Sequence, residues 1–249
     1  MKYLGSKYLI WNKIKDIVLQ DYGDRYFNYV EPFCGGCNSL YQVKSIDGGK
    51  RIASDINPYL ISLFKGLLKN KKVFYPISKE LYLDAKQEYK NGHSDRYSVF
   101  DLAWIGYMAS FRGMFFDVYT GNNVKSRIDS RPDRDYIDDA IKNILKQLDG
   151  LKDVAFECCS YDKLIIPRKS IIYCDLPYRN TTKYKNMPDF DYEKFYDWCF
   201  KEFNRGNKVF ISEYSLPDCR FTEIWHGEAR CTLNRGVVYN KIEKLYTVK

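Results

Sequence analysis

Histidine is nearly missing from this chain: His93 and His226 are the only two in 249 residues. That scarcity argues against a histidine-ligated metal, and the eight cysteines do not fill the gap. Cys34 and Cys37 form a Cys-x-x-Cys, but no second pair follows at zinc-ligand spacing, so no metal site is expected. Cys158 and Cys159 are adjacent and Cys174 lies on an apolar run, and all three are expected to be small core residues. The opening Met1-Lys2-Tyr3-Leu4-Gly5-Ser6-Lys7 carries no apolar export signal, and no long apolar run follows. A reduced, intracellular protein without a membrane span is expected, not a disulfide scaffold. Internal repeats and low-complexity linkers are absent, as is Gly-x-Gly-x-x-Gly. A dinucleotide pyrophosphate is therefore a poor fit.

Basic and aromatic residues are plentiful. A net charge of +8 suits a polyanionic partner, and 23 tyrosines in an aromatic fraction of 17% offer stacking faces for bases, although any single ring is as readily core or scattered surface. The length suits one large domain, or a domain with a sizeable insertion.

Ser170-Ile171-Ile172-Tyr173-Cys174-Asp175-Leu176-Pro177-Tyr178 is an apolar run that stops on an acid. It reads as a buried parallel strand delivering Asp175 to the carboxyl edge of a sheet, where open α/β folds place ligands. A strand-ending Asp that caps the next turn is the plainer alternative. Phe27 to Leu40 reads as a strand, a glycine turn at Gly35-Gly36 and a helix start. About twenty residues on, Arg51-Ile52-Ala53-Ser54-Asp55-Ile56-Asn57-Pro58 reads as a second strand ending in an acid, the spacing that sets a carboxylate on ribose hydroxyls. A nucleoside cofactor without phosphates fits this pattern.

Phe33-Cys34-Gly35-Gly36, Asp55-Ile56-Asn57 and Asp175-Leu176-Pro177-Tyr178, in that order, resemble the Dam-type DNA adenine-N6 methyltransferases, whose cofactor motif comes first and catalytic motif last. The likeness covers essentially the whole chain. It implies an α/β fold, a Rossmann-like methyltransferase sheet with a helical target-recognition insertion, S-adenosylmethionine as cofactor and double-stranded DNA as partner. By that resemblance Asp175, Leu176, Pro177 and Tyr178 are catalytic. Tyr3, Lys7, Phe33, Gly35, Asp55 and Asp175 are cofactor contacts, with Asp162 a further one beside the cofactor's adenine. Each has a plainer role: Lys7 a solvated lysine, Tyr3 a surface aromatic, Asp55 a helix cap before Pro58, Asp162 a turn former. Two positions depart from the family pattern. Cys37 stands where a second glycine is usual, and Leu176 replaces the first proline of the catalytic tetrapeptide.

The resemblance also organises the rest. Residues 1–59 and 153–249 would form the catalytic and cofactor-binding domain, and 60–152 the helical recognition domain. Helices are expected at Leu60 to Leu68, Leu81 to Tyr89 and Tyr136 to Leu148, by apolar period. Between them a loop from Ser110 to Lys125, rich in aromatics, is followed by Arg127, Arg131 and Arg134. Arg112 is its candidate base reader, and Lys125, Arg127 and Arg131 are candidate phosphate contacts. A packed lobe with a solvated charged face is the alternative. Val154 to Cys158 reads as a strand, Arg179 to Lys185 as a polar loop over DNA containing Tyr184, Tyr192 to Phe203 as a helix and Lys208 to Tyr214 as a strand. Val237 to Tyr239 and Lys244 to Val248 suggest a terminal hairpin. A cytoplasmic enzyme of a bacterial or phage-infected cell, monomeric or weakly dimeric, is expected, with a restriction endonuclease of the same system as a candidate partner. Methylation of cytosine N4, an RNA base or a protein glutamine, or a decayed non-catalytic relative, are the alternatives.

Overall fold

The computed structural model describes residues 1–3, 6–92, 96–121, 134–176, 190–234 and 237–249, without the side chains of 229–234 and 237–241. Among these residues lie six α-helices and seven β-strands. By packing, the chain divides into two units. The first holds Met1–Lys7, Gly35–Lys44 and Asp55–Cys158, and the second Tyr8–Cys34, Ser45–Ser54 and Cys159–Lys249.

The second unit is built on parallel strands. β1 (Asn28–Glu31), β2 (Arg51–Ser54), β4 (Ser170–Asp175) and β5 (Lys208–Glu213) are short strands, buried nearly throughout, polar ends such as Glu31 and Arg51 included. Strands covered on both faces lose the polar alternation of half-exposed ones. The order across this unit is β2-β1-β4-β5-β7-β6. β1 is parallel to both β2 and β4, with Val30 opposite Ile52 on one side and Ile172 on the other. α1 (Tyr8–Val18) covers one face through Trp11, whose ring meets Tyr29 and Tyr173 at 6.3 and 5.1 Å. Ile172, Cys174, Leu176, Val209 and Ile211 share a core with Phe195, Tyr196 and Cys199 of α6 (Tyr192–Asn204).

β6 (Phe221–Asn234) and β7 (Val237–Val248) close the sheet as an antiparallel pair. This corrects the expected terminal hairpin. Residues 237–248 form one continuous strand whose partner is β6, with Asn240 and Lys241, which lie between the two expected segments, paired with Arg230 and Ala229. β6 escaped the sequence reading because its described side chains from Thr222 to Glu228 are all exposed or half-buried, as on edge strands, and break up any apolar run.

The first unit is helical apart from β3 (Val154–Glu157). α2 (Pro58–Leu68), α3 (Lys79–Lys90) and α5 (Tyr136–Leu148) lie where the apolar period places them. Side-chain caps explain their starts: Asn57 accepts from Tyr59 N at 3.0 Å, Ser78 from Leu81 N at 3.1 Å, and Asp135 from Ile137 N and Asp138 N at 2.9 Å each. α4 (Val99–Met108) has no apolar period to detect, since every residue from Leu102 to Met108 is buried. Its start is nevertheless written in the chain as a Ser98–Asp101 capping box. The helix start expected after Gly35-Gly36 is only a 3-10 turn, Leu40–Gln42.

Gly66 shows how tightly this unit packs. A Cβ there would overlap the Phe100 ring, which is itself buried. Alanine is favoured over glycine in a helix by about 1 kcal/mol, whereas overpacking costs about 1–3 kcal/mol. Gly66→Ala is accordingly expected to lower the unfolding free energy in urea; an increase would mean that Phe100 moves aside freely.

Candidate functional site

In the first unit, a turn, a carboxylate and an aromatic converge. Asp55 follows directly after β2. Its Oδ2 accepts from Gly35 N at 3.0 Å and its Oδ1 from Asn57 N at 2.9 Å. Both carboxylate oxygens are thus fixed by backbone amides, and each keeps further acceptor capacity. Burial pushes the Asp55 carboxyl above its ordinary range, against the lowering effect of those two amides. The plainer role as a helix cap does not hold, since the cap of α2 is Asn57.

Gly35 has φ +44°, and a Cβ on it or on Gly36 would come within 2.8 Å of the Tyr3 side chain. Glycine is needed here because the ring lies against the bare backbone. Tyr3 is therefore seated on the turn, with its ring 6.3 Å from that of Tyr107. Tyr107 in turn accepts from Asn57 Nδ2 at 3.1 Å. Lys7 is 8% exposed, so the solvated-lysine alternative fails. Ile56, absent from the sequence-based site, is an apolar side chain left 48% exposed beside Asp55. Its signal was available: an isoleucine between a ligand-type acid and a capping Asn has no helix stripe to join.

Cys37 also adopts positive φ, 52°, and is fully buried. The position calls for a glycine-like conformation, which accounts for the glycine usual in the family pattern. The thiol packs inside, away from the open side of the turn.

In the second unit, Asp175 ends β4, and Phe33 follows β1 beside it. β2 and β5 lie on opposite sides of this central pair, so the β1–β4 boundary is the point where the winding reverses and where α/β sheets bind ligands. Phe33 is held by rings of Tyr161, Phe190 and Phe195 at 5.5 to 5.9 Å. Leu176 is buried in the core shared with α6, so its side chain anchors the residue after Asp175 much as a stiff proline would. Asp162 instead pairs with Lys194 at 2.6 Å, which holds its carboxyl below the usual range. Pro177, Tyr178 and Tyr184 lie outside the described residues, as do Lys125, Arg127 and Arg131.

The residue order and the fold agree with one comparison. A family model described as D12 class N6 adenine-specific DNA methyltransferase matches residues 3–238. The chain belongs to that family. No curated protein matches it. Among the described residues no group of three or more His, Cys, Asp or Glu is placed to hold a metal, and no helix is long and apolar enough to cross a membrane.

The segment after α4 is more closed than its sequence suggests. From Ser110 to Tyr119 it closes on itself, with Phe111 N donating to Val118 O at 2.7 Å and Thr120 N to Ala109 O at 2.8 Å. Phe115 and Phe116 pack among Tyr59, Tyr82, Tyr89 and Tyr107. At the tip Arg112 is exposed, stacks over Phe111 at 5.3 Å and has φ 56°. A left-handed non-glycine residue stores about 1 kcal/mol or more. Arg112→Gly is expected to leave unfolding free energy unchanged or raise it by up to about 1 kcal/mol, while weakening DNA binding. A clear loss of stability with unaltered DNA binding would assign Arg112 to packing instead.

Proposed function

We propose that this methyltransferase moves the methyl group of S-adenosylmethionine to N6 of an adenine turned out of a short duplex DNA target. The observation that carries the reading is Asp175 at the carboxyl end of β4, beside β1, where the sheet reverses its winding. Adenine N6 is a weak nucleophile because its lone pair is delocalised into the ring. Asp175 and the Leu176 carbonyl accept its two hydrogens, which draws the pair toward the methyl carbon. S-adenosylmethionine, when bound, supplies an electrophilic methyl group on sulfonium and takes the electron pair of the breaking carbon–sulfur bond. The displaced N6 proton leaves through Asp175. Tyr178, in the reading carried from the family, offers a face to the extruded base, and Pro177 stiffens the turn.

Asp55 is assigned to the ribose hydroxyls. Two oxygens already oriented by Gly35 N and Asn57 N support that role. Tyr3, Lys7, Phe33 and Gly35 complete the cofactor contacts, with Ile56 placed to cover an apolar ring face. Asp162 is the weakest of them, because Lys194 already holds its carboxylate. Arg112 is assigned to base reading, since Arg is suited to bidentate contact with guanine. Lys125, Arg127, Arg131 and Tyr184 are assigned to the DNA backbone and the neighbouring loop.

The two acids separate by experiment. Asp175→Ala is expected to lose at least tenfold to a few hundredfold in methyl transfer, from hydrogen bonds to a charged group worth about 1.5–3 kcal/mol each, with cofactor affinity retained. Asp55→Ala is expected to weaken S-adenosylmethionine binding in calorimetry with DNA binding retained. Near-normal turnover in folded Asp175→Ala would refute the catalytic assignment, and unchanged cofactor affinity in Asp55→Ala the ribose assignment.

A further inference from the structure

We propose that Ser212 and Tyr173 are a positioning pair for Asp175, an inference that rests on the methyltransferase reading above. Alternate residues of a strand share a face, so Tyr173 and Asp175 stand on the same side of β4. Ser212 is the direct partner of Asp175 in the parallel β4–β5 register. The Tyr173 hydroxyl and Ser212 Oγ are 2.8 Å apart. Both residues are buried, and the Tyr173 ring is fixed by Trp11 at 5.1 Å.

The direction of these hydrogen bonds follows from acidity. Phenol is the stronger acid of the two hydroxyls, so Tyr173 donates and Ser212 accepts. The serine proton is then left to a second acceptor, and it is assigned to Asp175, the carboxylate opposite Ser212 in the register. A donor held on one carboxylate oxygen fixes the side-chain rotamer and leaves the other oxygen to the target amine. Burial, followed by the charge of Asp175, holds the Tyr173 phenol well above its ordinary range, and Glu31 and Glu243 act in the same sense. The phenol therefore remains a donor throughout the working pH range.

The pair positions the acid and touches neither substrate, which gives it a distinct kinetic signature. Steady-state kinetics on Ser212→Ala, Ser212→Thr and Tyr173→Phe, with the methyl donor and DNA each varied, test it. Ser212→Ala is expected to lower kcat roughly tenfold to a hundredfold, the worth of one hydrogen bond to a charged group. KM for both substrates should stay near wild type. Ser212→Thr, which keeps the hydroxyl, should recover most of the loss, and Tyr173→Phe should lower kcat in the same sense. Unchanged kcat in Ser212→Ala beside an active wild type would overturn the pair alone, as would a parallel rise in KM or a failure of folded Ser212→Thr to rescue. If Ser212→Ala does not fold, unchanged kcat in folded Tyr173→Phe overturns it equally. A wild type that transfers no methyl group contradicts the methyltransferase reading itself, and the pair with it.

Discussion

Everything in the second unit depends on β1 and β4 lying side by side and parallel. Parallel neighbours cannot be joined by a tight turn, so each must leave the sheet by a long connection at its carboxyl end. β2 and β5 then fall on opposite sides of the central pair, the strand order at whose reversal α/β sheets bind ligands. Phe33 and Asp175 are the residues the chain holds at that edge.

The glycine turn obeys a different constraint. Asp55 accepts one amide from the turn and one from its own α2 entry, so the shape of the turn and the orientation of the acid are a single arrangement. Tyr3 lies where any side chain on Gly35 or Gly36 would have to be. The residue types follow: two positions without Cβ, a carboxylate with two oxygens already directed, and a buried Cys37 accepting a backbone conformation that glycine would take more easily.

Legibility in the sequence tracked the physics that each element uses. β4 was readable because burial on both faces writes an apolar run, Ile171 to Cys174, and α5 because its apolar stripe has a helical period. α4 was hidden because it is buried on all sides, and β6 because an exposed edge strand resembles a polar loop. The acids Asp55 and Asp175 were legible as strand-ending carboxylates. Tyr173 and Ser212 were not, since their significance depends on neighbours brought together by strand register. The Ser110 to Tyr119 segment read as an open basic loop because its closing contacts are backbone hydrogen bonds and aromatic packing, neither of which composition announces. Leu176 and Cys37, departures on paper, both resolve into buried side chains that leave the backbone groups in place.

The central claim is the identity of the modified atom. Purified protein incubated with methyl-labelled S-adenosylmethionine and DNA of mixed sequence, followed by enzymatic digestion to nucleosides and mass spectrometry, tests it most directly. The account predicts label in N6-methyladenosine of the deoxy series, confined to a short recurring sequence and absent with Asp175→Ala. Label in N4-methylcytosine, or cofactor binding with no label in DNA at all, would contradict it.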